Sequence, residues 1–145
     1  MATVSYEAVY GGIQSAIAAI SAGGPITITH AGTGYGTDFR ITKGAAVYQV
    51  HLVPLLDYYT SNVRYPRLEV TVMFHHYRNS LTNERNFSHK TLYYIADSLL
   101  DHSTWEAMAG VYALEPDTEP EISEGSREGN VITFELTATV LLDAA

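Results

Sequence analysis

Two adjacent histidines, His75 and His76, end a run of alternating residues and are followed at once by Arg78, Asn79, Asn83, Glu84 and Arg85. Imidazoles near carboxylates are raw material for metal binding and for acid–base catalysis. A zinc site built on one strand needs ligands on one face, two residues apart. No HxH, HExxH or His-plus-carboxylate spacing accompanies this pair. Neighbouring strand residues point in opposite directions, so the pair reads as the end of a strand entering a polar connection. His51, His89 and His102 carry no spacing that would draw them to it.

Other catalytic and binding motifs are incomplete as well. Gly32-x-Gly34-x-Gly36 lacks both the GxGxxG spacing ahead of a helix and the Lys-Ser/Thr of a P-loop, which leaves a flexible turn. Serines occur without GxSxG, and no Ser-His-Asp order stands out. Glu119 and Glu121 sit in a solvated, acidic stretch where a raised carboxyl pKa is not expected. Catalytic residues, cofactor-binding residues and metal ligands are therefore all expected to be absent. Tyrosine is the unusual residue, with 11 copies, including Tyr58-Tyr59 and Tyr93-Tyr94. Tyrosine suits interfaces because it joins a large apolar body to a polar tip, and it also fills cores.

A chain of 145 residues that is 46% hydrophobic can bury one core, and a single domain over 1–145 is expected. Having no cysteine, it offers no disulfide, thiolate metal site or thiol nucleophile, which fits a reducing cytoplasm. The N-terminus lacks a basic n-region, and no apolar run approaches the roughly 20 residues of a membrane span, so neither secretion nor a membrane is expected.

Residues 3 to about 21 place Tyr6, Val9, Tyr10, Ile13, Ile17 and Ile20 on one helical stripe, with Thr3 or Ser5 as cap and Gly23-Gly24-Pro25 as stop. Residues 25–30, 39–42 and 46–53 read as short strands, and Pro54 closes the last or puts its end on an edge. The segment 55–66, LLDYYTSNVRYP, reads as a loop or irregular excursion rich in large apolar groups. From 67 to 77 the alternation is clear, with Leu68, Val70, Val72 and Phe74 on one face. Residues 87–100 predict a helix capped by Ser88, and Trp105 with Met108 suggests a second short helical turn. Residues 111–115 and 131–142 predict strands, and the acidic stretch 115–130 between them a long hairpin loop. The fold class expected is α+β: a mainly antiparallel sheet with an N-terminal helix and one internal helix packed on it.

Formal charge is −8, which disfavours specific nucleic-acid binding. Its distribution says more. Arg40, Lys43, Arg64, Arg67, Arg78, Arg85 and Lys90 are seven of the eight bases and lie mid-chain, whereas eleven acids and one base, Arg127, fall between Asp97 and Asp143. If these portions form different flanks of the domain, copies could meet head to tail, with charge setting register while tyrosines and aliphatics supply affinity. The candidate contact residues are Tyr58, Tyr59, Arg64, Arg67, Arg78, Arg85, Glu115, Asp117, Glu119, Glu121 and Glu124. The plain alternative is a monomer with two solvated faces.

In order, the chain offers an N-terminal helix, a variable β excursion, the strand PRLEVTVMFHH, the helix KTLYYIADSLL followed by STWEAM, a strand, an acidic loop and the terminal strand NVITFELTATVLL. Over most of residues 3 to 142 this order resembles the tail terminator and tail completion proteins of long-tailed bacteriophages and related gene transfer particles. The resemblance implies a hexameric ring, assembled in the host cytoplasm, that caps the growing tail tube in the virion, stops its polymerisation and offers a docking surface to the head connector. Implied partners are other copies of the chain, the tail tube protein and the connector, with the genome passing through the ring. Arg78, Asn83, Glu84 and Arg85 would then face another subunit or tail component. The rivals are another head-to-tail joining or neck protein and a small enzyme using His75 or His76.

Overall fold

The computed structural model describes residues 6–21, 26, 28–33, 41–60, 62–116 and 118–143. The expectations placed on Thr3, Ser5, Gly23-Gly24-Pro25, Gly34, Gly36, Arg40 and Asp117 lie outside these residues. Helix α1 (Tyr6–Ser21) precedes strand β1 (Ile28–Thr33) and a long hairpin of β2 (Ala46–Thr60) and β3 (Val63–Tyr77). A helical run follows: α2 (Leu81–Arg85), a π-helical turn (Asn86–Thr91) and α3 (Leu92–Leu99). Helix α4 (His102–Glu106) and strands β4 (Val111–Leu114), β5 (Glu121–Glu128) and β6 (Val131–Leu142) complete the chain.

The strands form one mixed sheet in the order β1-β2-β3-β6, with β5 and β4 sharing the far edge of β6, and among the described residues only the β1–β2 pair is parallel. This is the α+β architecture that the patterning predicts. β3 is the central strand because β2 and β6 pair with it on either side from Arg67 to His76. Leu68, Val70, Val72 and Phe74 are fully buried on one face, together with Leu136 and Val140 from β6 and Val9, Ile13 and Ile17 from α1. Each such side chain contributes about 1.5–3 kcal/mol when removed from water. Gly12 lets α1 approach closely, since a Cβ there would stand 3.2 Å from the Met108 side chain.

Three local expectations are corrected. Segment 55–66 is not an irregular excursion but the outer part of the hairpin, with Tyr58 opposite Tyr65, Tyr59 opposite Arg64, and Asn62 in the turn at φ 67°. Asparagine tolerates that left-handed conformation. Pro54 stays within β2, opposite Leu68; β1 pairs with β2 only as far as Val50, so the missing N–H falls beyond the paired part of that edge.

The internal helix starts earlier than expected, and its cap is Ser80, whose Oγ accepts from the Asn83 N–H at 3.1 Å. Ser88 instead lies inside the helical run and donates to the Glu84 carbonyl at 2.8 Å. Finally, residues 121–128 of the acidic stretch form a strand on β6 rather than a loop, turned back by Gly129 at φ 60°. Charged side chains belong on such an edge because they discourage unwanted strand pairing.

Candidate interaction surface

The two histidines belong to the sheet. His75 lies on the face away from the helices, between Gln49 and Thr133, with Nε2 3.0 Å from Gln49 Oε1 and Nδ1 2.9 Å from Thr133 Oγ1. With the Gln49 oxygen accepting, Nε2 carries the proton, and the Thr133 hydroxyl is able to donate to Nδ1 of a neutral ring. His76 faces the other way, fully buried and stacked on Phe87 at 4.5 Å and 17°. The π-helical turn contributes this Phe87 and the buried Thr91, whose hydroxyl accepts from the Ile26 N–H at 3.1 Å. Neither ring nitrogen of His76 has a hydrogen-bonding partner at bonding geometry, although Asn83, Glu84 and the Gly44 backbone lie near enough to act on its charge.

Burial pushes the pKa of both rings down, and for His76 it does so against the pull of Asn83, Glu84 and Gly44. A folded pKa below the unfolded value means that stability is complete above the ordinary value of 6.5 and falls as the pH drops toward the folded values. His102 has the opposite sign: its bond to Glu119 raises its pKa, so its contribution is present in acid and lost as the pH rises through the folded value. The denaturant midpoint is therefore expected to be lower at pH 5 than at pH 7.5. His76→Phe, which keeps a ring against Phe87, should flatten that difference in urea titrations; an unchanged slope would remove His76 from this account.

The outer hairpin exposes large apolar groups beside Asn62 and Arg64. Beyond Arg67, the last β3 residue paired with β6, the β2–β3 ribbon continues alone, and Leu56 is 87% exposed and Tyr59 65% on it. Val63 is also exposed, and Arg64 is held to Asp57 at 3.2 Å. At the base of the ribbon Tyr65 stacks on Tyr112 of β4 at 4.5 Å and 24°. The expected contact residues Tyr58, Tyr59 and Arg64 thus come together on one projecting element. Leu56 and Val63 join them there, and reading 55–66 as a loop hid the pattern that would have found these two; exposed Tyr112 of β4 packs at the ribbon's base.

The charged candidates are arranged less simply than two opposite flanks. Arg67 of the basic portion is ion-paired within the chain to Glu115 of the acidic portion, at 3.1 Å. Glu84 is clasped by Arg78 at 2.9 Å and by Arg127 at 2.7 Å, which ties α2 to β5; Arg127, then Arg78, hold its carboxyl below the ordinary range. Glu119 pairs with His102 at 2.6 Å. Glu124 lies 3.8 Å from Arg127, and Arg85, Glu121 and Glu124 are solvent-exposed. Among the described residues no three His, Asp or Glu side chains converge to hold a metal ion, and no helix is long and apolar enough to cross a membrane.

On the helix side of the sheet, an open groove of about 460 Å³ runs between the helical run and β5. Leu92, Tyr93 and Ala96 form one wall, Ile122 and Phe134 the other, and Glu124 stands at the rim. Sequence reading missed it because its walls are far apart in the chain.

No protein-family model matches the chain, and no curated protein matches it in sequence. Two solved structures superpose on it over nearly its full length. One, whose description names no function, superposes with a TM-score of 0.58 at 10% identity, covering 97% of each chain. Another, described as the virion of a native gene transfer agent particle, superposes at 0.47 with 10% identity, covering 96% of this chain and 93% of that one. The first likeness shows a shared α+β fold; the second is too loose a superposition to show even that.

Proposed function

We propose that the chain is a structural, non-enzymatic virion protein whose copies join head to tail into a ring at the head-proximal end of a phage-like tail tube. The ring stops tube polymerisation by occluding the growing surface and offers its other side to the head connector. One observation carries this reading: a two-stranded ribbon leaves the sheet with Leu56 and Tyr59 bare, and exposed apolar groups concentrated on a projecting element are a contact surface awaiting a partner. The element order that resembles tail terminators supports it independently. Weighing against the enzyme reading, His76 is fully buried and both ring nitrogens of His75 lie within hydrogen-bonding distance of neighbours in the sheet.

Within such a ring, ion pairs contribute about 0–1 kcal/mol each and select register, while the apolar ribbon supplies most of the affinity. Exposed Arg85 and Glu121 are left to meet neighbouring copies or the tube. The test is to add the protein to polymerising tail tube protein and to measure tube lengths by electron microscopy. Short tubes with an annulus at one end are expected; an unchanged length distribution with bare ends would defeat the terminator role.

A further inference from the structure

We infer that the apolar groove between α3 and β5 receives the hairpin ribbon of a second copy of this chain. The assignment rests on the self-assembly proposed above and names the two surfaces that make it. The two surfaces match chemically. The ribbon presents Leu56 and Tyr59 beside Arg64, and the groove presents Leu92, Ala96, Ile122 and Phe134 beside Glu124. Apolar surface meets apolar surface, and a cation meets a carboxylate. Arg64 uses Nε on Asp57, and the remaining N–H donors of its guanidinium are suited to a second carboxylate.

The two surfaces are also too far apart to meet within one chain. Phe134 of the groove pairs with Phe74 of β3, whereas the ribbon rung Tyr59–Arg64 lies ten residues farther along the same strand. At the rise of a β-strand this is roughly 33 Å, so a chain cannot place its own ribbon in its own groove. The two surfaces lie toward opposite ends of one sheet, and a second copy supplies both the ribbon for the groove and the groove for the ribbon. Such a contact is heterologous, and it closes into a ring when the rotation per subunit permits.

The chain has no cysteine, so introduced thiols are unambiguous. A Leu56→Cys chain and an Ala96→Cys chain, carrying different affinity tags, are mixed and treated with a short bis-maleimide. Both changes are small, and Leu56 is 87% exposed, so folding should be unaffected. The expected result is a mixed dimer at least tenfold more abundant than the dimer from either variant alone. Association of the untreated parent, read by sedimentation, separates the two levels of the claim. A parent that assembles while mixed dimers fail to form, or while Leu56→Cys links mainly to itself, overturns the pairing but leaves assembly standing. A parent that never assembles overturns both.

Discussion

Replacing Trp105 with alanine is expected to destabilise the protein by about 3–5 kcal/mol, the range for truncating a large buried aromatic. Trp105 is fully buried beneath the helices, and its Nε1–H donates to the Leu99 carbonyl at 2.7 Å. The last carbonyls of a helix have no partner within it, and this bond satisfies one of them at the end of α3. The truncation therefore opens a cavity and also strands a polar group. Because small domains are stable by only about 5–15 kcal/mol, the variant should sit close to its unfolding threshold. Trp105→Phe separates the two effects, since it keeps much of the volume but leaves the carbonyl unpaired at a cost of about 1–3 kcal/mol. As Trp105 is the sole tryptophan, urea unfolding should be followed by far-ultraviolet circular dichroism. A loss below about 0.5 kcal/mol, typical of surface changes, would mean that the α3–α4 corner is not packed as described.

The second large effect concerns association rather than folding. Leu56→Glu combined with Tyr59→Glu should weaken self-association at least about 30-fold, because losing a buried apolar anchor commonly costs 2 kcal/mol or more. Both residues are exposed in the single chain, so its unfolding midpoint should scarcely move. This dissociation of effects separates a contact surface from a structural one. If the double variant associates like its parent, the ribbon lies outside the contact; if it unfolds early, the ribbon supports the subunit itself.

The parts of the fold legible in the sequence are those whose periodicity is enforced by burial. β3 and β6 alternate because one face of each packs under the helices, and α3 shows its stripe for the same reason. β5 was hidden because an edge strand exposed along most of its length has no apolar face to repeat; only Ile122 is half-buried among its described side chains. The outer hairpin was hidden differently. Pro54 suggested either an end to β2 or an edge position, and the edge reading fits: this part of β2 lies beyond its pairing with β1, where proline is tolerated. Ser88 was a plausible cap, but the helical run begins at Leu81, and its π-helical turn brings Phe87 against His76.

Non-local geometry explains what composition could not convey about the surface. Arg67 and Glu115 lie far apart in the chain, and they meet because β3 and β4 flank the same end of β6. A charge split read along the sequence is thus partly neutralised within the subunit. The groove is equally non-local, since α3 and β5 form its walls. Tyr58, Tyr59 and Arg64 were legible as contact candidates from residue type alone, and the hairpin register unites them.

Sedimentation equilibrium of the unmodified chain over a wide concentration range, with imaging of the same sample, tests most directly whether copies join into a closed body. A discrete species several times the 15.9 kDa of one chain, seen as an annulus, is expected. A species that stays at 15.9 kDa at the highest concentration, and also with tail tube protein present, would contradict it.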